Sequence, residues 1–191
     1  MKPSNHKGKI SAIVLAVALI GAYEGLSEPA YLDIVGIPTI CYGETKGVKL
    51  GDTKTKSECD AILVARIQEF NEELNQCIKT EVPDTFRISM VSLAYNNGAA
   101  AVCSSSIPRK IAVGDLVGAC KTMLEFNKVC IKRDKVTKKC LEMKIIKGLD
   151  NRRKSEYTIC VKDLKPLIVS SYSVPWVIPY VKESGQYILT V

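Results

Sequence analysis

Two carboxylates and a threonine near the N-terminus have the types and the spacing needed to hydrolyse a glycosidic bond. Asp33 follows Glu24 by nine residues, and Thr39 follows Asp33 by six. This reaction uses a general acid on the leaving oxygen and usually a second carboxylate, which handles water or the developing positive charge. A hydroxyl beside the second carboxylate could hold that water. Without their neighbours, the three residues are a weak signal, and solvated surface side chains are the default interpretation.

The elements predicted around these residues could hold the two carboxylates on opposite sides of a bond. Glu24 follows the uncharged run 10–23, which we expect to form a helix. Residues 33–42 are rich in β-branched side chains and contain Gly36 and Pro38, a composition typical of short strands joined by turns. One carboxylate would therefore lie at a helix end and the other on a nearby β-turn.

Helices are predicted for most of the remaining chain. Residues 55–58 have the form of a capping box, in which side chains satisfy the free amides of a helix start. Apolar residues recur behind it at three- and four-residue spacing as far as Ile78, which indicates a long amphipathic helix. Pro83 begins another helix that ends near Gly98. Two further helices are expected over residues 115–126 and 151–164. The sequence thus predicts a mainly helical α+β fold with a small β element near its N-terminal end.

The single histidine, His6, argues against several classes of hydrolase. Ser-His-Asp and Cys-His catalysis require a well-placed imidazole. Catalytic zinc sites usually require two or three of them. We therefore expect carboxylate chemistry with no metal and no cofactor.

The cysteines and the N-terminus both indicate export. Eight cysteines are spread along the chain without a CxxC pair, which favours disulfides in an oxidising compartment. Basic residues and then the uncharged run 10–23 are typical of an export signal. This run would span about 21 Å of the roughly 30 Å hydrocarbon core, so it would be a marginal membrane span. A cleaved signal peptide and a buried core helix are the alternatives.

The positive charge is concentrated in one segment. The net charge is +7, and residues 127–147 alone contain eight basic and two acidic residues. Such a patch favours a polyanionic partner, such as nucleic acid, an acidic membrane surface or a cell envelope. A solvated basic loop explains it equally well.

We expect three parts in the chain. Residues 1–23 are the export segment, residues 24–165 are the globular domain, and residues 166–191 form an apolar tail. The tail either packs on the domain or meets a membrane interface through its aromatic residues, Tyr172, Trp176 and Tyr180.

The residues around Glu24 resemble the phage-type lysozymes of glycoside hydrolase family 24. That family has an E-G…D…T-x-x-x-G pattern, which is matched here by Glu24-Gly25, Asp33 and Thr39-Ile40-Cys41-Tyr42-Gly43. Two later stretches extend the similarity to about residues 21–165: Tyr95-Asn96-Asn97-Gly98 and Gly148-Leu149-Asp150-Asn151-Arg152-Arg153-Lys154-Ser155-Glu156. The sequence departs from the family at Cys41, Glu44 and Phe126, and in residues 127–147, which replace a short Gly-rich loop.

The resemblance implies a lysozyme-like fold with a helical C-terminal lobe and N-acetylmuramidase activity on the β-1,4 bonds of peptidoglycan. Glu24 would be the general acid, Asp33 would orient or activate water, and Thr39 would position that water in an inverting reaction. Arg152 or Arg153 would pair with Glu24. The remaining residues expected to line or support the cleft are Tyr42, Gly43 and Asn96.

The N-terminal segment narrows the resemblance to signal-arrest-release endolysins. In that subgroup an uncleaved export segment first anchors the enzyme in the inner membrane and then leaves it. The resemblance implies a monomeric enzyme of host lysis in the periplasm, tethered at first through residues 10–23, with no nucleic-acid partner. Retention of the segment is favoured because cleavage after Ala22 would leave Glu24 on a frayed terminus.

Spacing and the implied topology suggest one set of disulfides among the 105 that eight cysteines allow. The expected pairs are Cys41–Cys59, Cys77–Cys103, Cys120–Cys160 and Cys130–Cys140. Cys130–Cys140 would close the basic segment into a hairpin.

Two other functions compete with the enzyme. One is a disulfide-rich secreted binding protein on a lysozyme-like scaffold whose cleft has decayed, since fold alone does not determine function. The other is a membrane-active basic protein that uses residues 127–147 and the tail.

Overall fold

The computed structural model describes residues 6–33 and 36–164, with side chains from residue 15 onward, so the predictions for the tail 166–191 and for residues 1–5 lie outside it. Its helices are α1 (His6–Glu24), α2 (Lys56–Leu74), α3 (Asp84–Asn97), α4 (Ala99–Ser104), α5 (Ile107–Ala112), α6 (Leu116–Met123) and α7 (Lys147–Val161). Its strands are β1 (Ser27–Leu32), β2 (Pro38–Cys41), β3 (Lys128–Arg133) and β4 (Cys140–Ile145).

Helix α3 is the centre of the domain, and α1, α2 and α7 pack around it. Its side chains Phe86, Met90 and Leu93 are fully buried. Removing such large apolar groups from water is the main driving force for assembling the helices. The mainly helical α+β fold predicted from the sequence is confirmed.

Helix α2 begins at the predicted capping box. The Thr55 hydroxyl accepts a hydrogen bond from the amide of Glu58, and the Glu58 carboxylate accepts one from the amide of Thr55. The helix starts here because these bonds satisfy amides that have no partner within the helix. Helix α7 starts at Lys147, four residues before the predicted position, and the short helices α4 and α5 were not predicted.

The first sheet is an antiparallel pair of β1 and β2, in which Tyr31 lies opposite Thr39. The sequence predicts strands over residues 33–42, but β1 lies before that range and the prediction is wrong for this strand. Strand β1 has no β-branched run, and contacts outside the strand hold it instead. The amide of Ala30 donates to the carbonyl of Asp52, and the carbonyl of Glu28 accepts from the amide of Lys54, each at 2.9 Å.

Helix α1 packs on the domain through its C-terminal half. Ala16 and Ile20 are buried in the core, whereas Leu15 and Ala18 face solvent. Gly21 lies beside the ring of Tyr42, where an added Cβ would be 3.6 Å from Cε1.

In the described part of the chain, every helix is too short or too polar to cross a membrane.

Four disulfides crosslink the domain, and they are the four pairs expected from the sequence: Cys41–Cys59, Cys77–Cys103, Cys120–Cys160 and Cys130–Cys140. Cys120–Cys160 joins α6 to α7, and Cys41–Cys59 joins β2 to α2. The basic segment is not an irregular loop, because β3 and β4 pair as an antiparallel hairpin closed by Cys130–Cys140.

Candidate active site

Glu24 is the last residue of α1, and a residue from the other end of the chain holds its carboxylate. Nη1 of Arg152 donates to Oε1 of Glu24 at 2.6 Å. Arg152 is nearly buried, whereas Glu24 keeps about a fifth of its side chain exposed. The guanidinium also lies over the ring of Tyr23, 4.7 Å from its centroid. Glu24 is thus fixed at one oxygen and open to solvent at its edge, as a proton donor to a large substrate requires.

A buried ionic cluster holds Arg152 in turn. Its Nε donates to Oε1 of Glu156 at 3.1 Å, and Nη2 of Arg153 donates to the same oxygen at 2.9 Å. The hydroxyl of Ser92 donates to this oxygen at 2.6 Å. Arg153 and Glu156 are fully buried. Burial lowers the pKa of Arg153, and the adjacent Glu156 carboxylate opposes that shift.

The two basic residues that the resemblance offers as partners of Glu24 therefore divide their roles. Arg152 contacts Glu24 directly, and Arg153 pairs with Glu156 instead, with Nε 2.8 Å from Oε2. Because α7 turns once in 3.6 residues, Glu156 lies on the same face as both arginines. Glu156 and Ser92 were not predicted as site residues from the sequence. The i, i+4 spacing of Arg152 and Glu156 is the signal that would have found Glu156.

Asp33 and Thr39 meet through the backbone of Ile37. The amide of Ile37 donates to Oδ1 of Asp33 at 2.8 Å, and its carbonyl accepts from the Thr39 hydroxyl at 2.9 Å. The same carbonyl accepts from the amide of Asp33 at 3.0 Å. The turn between β1 and β2 thus orders both side chains. Thr39 is buried, and Asp33 is half-buried.

Gly43 lies beside the second oxygen of Glu24. Its backbone has φ of +89°, a conformation that favours glycine. A Cβ built there would lie 3.7 Å from Oε2 of Glu24. Any larger side chain would extend into the space next to the oxygen that Arg152 leaves uncontacted.

Two tyrosines support this corner of the site. The Tyr95 hydroxyl donates to the carbonyl of Tyr42 at 2.7 Å. Burial, and then the negative charges of Glu24 and Glu44, raise the pKa of Tyr95 well above its usual range, so this hydroxyl stays a donor. Tyr42 is buried, and its hydroxyl donates to Asp60 at 2.7 Å. Tyr42 therefore links the strand before Gly43 to α2.

Glu44 and Asn96 differ in how closely they are held. The Glu44 carboxylate lies 3.1 Å from Nε of Arg66 and accepts from the amides of Thr45 and Lys46. The Glu44 carboxylate thus stabilises the turn after Gly43. Asn96, which the resemblance places in the cleft, is exposed at the end of α3, where its side chain accepts from Asn97.

The sequence is similar to known phage proteins over most of its length. The family model described as phage lysozyme matches residues 21–156. The chain is 35% identical over 173 residues to the SAR-endolysin of Enterobacteria phage P21. This alignment covers 84% of this chain and 98% of that protein. It is 33% identical over 153 residues to the SAR-endolysin of Pseudomonas phage phiKMV, covering 80% of this chain and 89% of that protein.

A solved structure has the same fold. The endolysin from Escherichia coli O157:H7 phage FAHEc1 superposes with a TM-score of 0.68 at 31% identity, covering 79% of this chain and 93% of that one. These similarities do not favour a disulfide-rich binding protein, because the relatives are endolysins. The matched family model spans well over half of the sequence and includes Glu24, Asp33, Thr39 and the α7 cluster. The chain therefore belongs to the phage lysozyme family of glycoside hydrolases.

Proposed function

We propose that this protein is an endolysin that hydrolyses the β-1,4 bond between N-acetylmuramic acid and N-acetylglucosamine in peptidoglycan. The observation that carries the proposal is the carboxylate of Glu24, held through Oε1 by Arg152 at the end of α1. Glu24 is the general acid and donates its proton from Oε2 to the leaving glycosidic oxygen. Gly43 supports this role because no side chain at that position crowds Oε2.

Asp33 is the second carboxylate of the proposed mechanism. It orients or activates the water that attacks the anomeric carbon, and Thr39 positions that water. Support comes from the Ile37 peptide, which contacts both side chains and so fixes one relative to the other. The result is an inverting hydrolysis, in which water arrives on the face opposite the leaving group.

The mechanism is tested by Glu24→Gln, which keeps the shape of the side chain but cannot donate the proton. We expect hydrolysis of purified peptidoglycan to fall by about 10²- to 10⁴-fold, the usual contribution of a general acid. Glu28→Gln is the matched control, since this exposed glutamate lies four residues away on β1. Near-normal hydrolysis by folded Glu24→Gln would refute the assignment.

The second half of the site is tested by Asp33→Asn and by a pair of substitutions at Thr39. Thr39→Ser keeps the hydroxyl, whereas Thr39→Val removes it at nearly constant volume. We expect Thr39→Val to lose far more activity than Thr39→Ser, with similar melting temperatures. Equal activity of the two variants would show that the hydroxyl has no role.

We further propose that the enzyme is exported to the host periplasm as a monomer, is tethered at first to the inner membrane through residues 10–23, and then keeps this segment after release. The four disulfides fit an oxidising compartment. Retention is supported by the packing of α1, because Ala16 and Ile20 belong to the core and Glu24 ends the same helix. While these residues lie in a bilayer, they cannot pack on α3, so Glu24 cannot meet Arg152.

This release model calls for substitutions that strengthen membrane retention without disturbing the core. Ala18 and Ala22 are exposed on α1, so Ala18→Leu/Ala22→Leu adds apolar surface on the side that faces solvent in the packed state. We expect this variant to be exported but to remain in the membrane fraction with slow lysis. Its control is Ala18→Ser/Ala22→Ser, which should be released at least as readily as the parent. Equal lysis by both, or a mature chain that begins after Ala22, would contradict the model.

A further inference from the structure

The hairpin formed by β3 and β4 is the largest feature that the proposed function leaves unused. Neither strand packs extensively against another element of the described chain. The hairpin joins the domain at its base, where the amide of Ile146 donates to the carbonyl of Asn127 at 2.9 Å and the Asn127 side chain donates to Asp150 at 2.8 Å. It therefore extends outward from α7.

The hairpin is held in one shape despite this lack of packing. An isolated two-stranded hairpin is marginally stable in water, but Cys130–Cys140 closes this one covalently. At the tip, Oδ1 of Asp134 accepts from the amide of Val136 and from the amide and hydroxyl of Thr137. These hydrogen bonds from Thr137 hold the pKa of Asp134 below its usual range. The tip is thus ordered before any partner arrives.

The exposed surface of the hairpin is both basic and apolar. Its segment, residues 127–147, has a net charge of +6 from eight basic and two acidic residues. Val136 at the tip is 88% exposed, and Leu141 on β4 is 60% exposed. The other exposed apolar residues of the two strands are Val129, Ile131, Met143 and Ile145.

This combination distinguishes between the polyanions that the charge alone would allow. A hydrated polymer, such as a nucleic acid or an acidic glycan, is matched by lysines but presents much less apolar surface to exposed Val, Leu and Met side chains than a bilayer does. An anionic lipid surface takes both, since its headgroups attract the lysines and the acyl boundary accepts the apolar side chains. We propose that the β3–β4 hairpin docks the protein on an anionic phospholipid surface through its basic tip, with Val136 and Leu141 entering the headgroup region.

This docking is separate from the tether of residues 10–23 and from hydrolysis. It would keep the enzyme near the bilayer after α1 has packed on the domain. Because the hairpin leads directly into α7, which carries Arg152, docking would also orient the site relative to the membrane.

The test is cosedimentation of the full chain with vesicles of phosphatidylglycerol and phosphatidylcholine, compared with phosphatidylcholine alone. The charge variant is Lys135→Gln/Lys138→Gln/Lys139→Gln. Its matched control, Lys49→Gln/Lys79→Gln/Lys162→Gln, changes exposed lysines outside the hairpin. We expect the charge variant to bind anionic vesicles on the order of 100-fold more weakly, because each lysine near such a surface contributes about fivefold. The control variant should lose far less affinity for anionic vesicles.

The apolar variant is Val136→Ser/Leu141→Ser, with Leu50→Ser/Val113→Ser as its control at exposed positions elsewhere. We expect at least tenfold weaker binding to anionic vesicles for the first and little change for the second. All variants share the N-terminal segment, so differences among them report on the hairpin. Unchanged hydrolysis of soluble peptidoglycan fragments shows that each variant is folded.

Four outcomes would overturn the proposal. Equal binding of the parent to both kinds of vesicle would show that binding does not require anionic lipid. Equal loss in the lysine control would assign the effect to net charge alone. Parent-like binding by the apolar variant would show that Val136 and Leu141 do not enter the lipid surface. Charge alone would then explain binding, as it would for a soluble polyanion. A dimer of the parent that this variant abolishes would make the hairpin a contact between copies.

Discussion

The guanidinium of Arg152 lies 2.6 Å from the carboxylate of Glu24, although 128 residues separate them in the chain. This contact joins the last residue of α1 to α7, and Ser89, Ser92 and Glu156 extend it to α3. The position of the proposed acid is therefore set by helices from both ends of the domain.

Arg152→Lys is expected to lower hydrolysis by about tenfold or more. A lysine keeps the positive charge but cannot contact Glu24 and Glu156 at once with the planar geometry of a guanidinium. Turnover on peptidoglycan measures the effect. Lys154→Arg is the control, because Lys154 is an exposed residue of α7 that pairs with Asp150. If Arg152→Lys behaves like this control, the two-sided contact has no role in positioning Glu24.

Glu156→Ala is expected to destabilise the fold by about 3–5 kcal/mol, because it leaves buried arginines without their counter-charge. For a domain of this size that corresponds to a fall in melting temperature of roughly 10 °C. Ser92→Ala removes one hydrogen bond to the same oxygen and should cost about 1–2 kcal/mol. Thermal unfolding measures both, and a loss from Glu156→Ala no larger than that from Ser92→Ala would contradict the proposed cluster.

The stability that is lost when the Cys41–Cys59 disulfide is removed should depend on the residue that replaces Cys41. Cys41 has φ of +58°, a region that costs a non-glycine residue about 1 kcal/mol or more. Cys41→Ala/Cys59→Ser should lose about 3 kcal/mol of stability, as expected for a loop of this length. Cys41→Gly/Cys59→Ser should lose about 1 kcal/mol less, because glycine accepts the backbone conformation. Equal denaturant midpoints for the two variants would indicate that the backbone relaxes once the bond is gone.

The capping box of α2 should contribute less to folding stability at acidic pH. Hydrogen bonds from the amide and hydroxyl of Thr55 lower the pKa of Glu58. A carboxyl whose pKa is lower in the folded state stabilises the fold fully above its unfolded pKa of about 4.5. That contribution disappears as the pH falls through the lowered folded pKa. Thr55→Ala should therefore destabilise the protein at pH 7, because it removes the N-cap hydrogen bonds, and the difference should shrink below pH 4. A difference in urea midpoint that stays constant down to pH 2.5 would be inconsistent with this account.

Local patterns in the sequence were sufficient to predict much of this protein. The capping box at Thr55 and the apolar repeat behind it predict α2, because these signals act within a few turns of one helix. The Glu24, Asp33 and Thr39 motif, with the resemblance that surrounds it, identifies the family. One histidine argues against imidazole-dependent hydrolysis, and eight dispersed cysteines favour disulfide crosslinks.

Other features were decided only by tertiary structure. Strand β1 has little strand propensity and exists because β2 and the segment around Asp52 provide hydrogen-bond partners. The resemblance offered both Arg152 and Arg153 as partners of Glu24. Their side chains leave α7 in directions about 100° apart, so only the packing of α7 on α1 and α3 selects Arg152. Likewise, the basic charge of residues 127–147 is plain in the sequence. Only the structure shows that β3 and β4 pair with each other and that, within the described residues, neither packs extensively on another element.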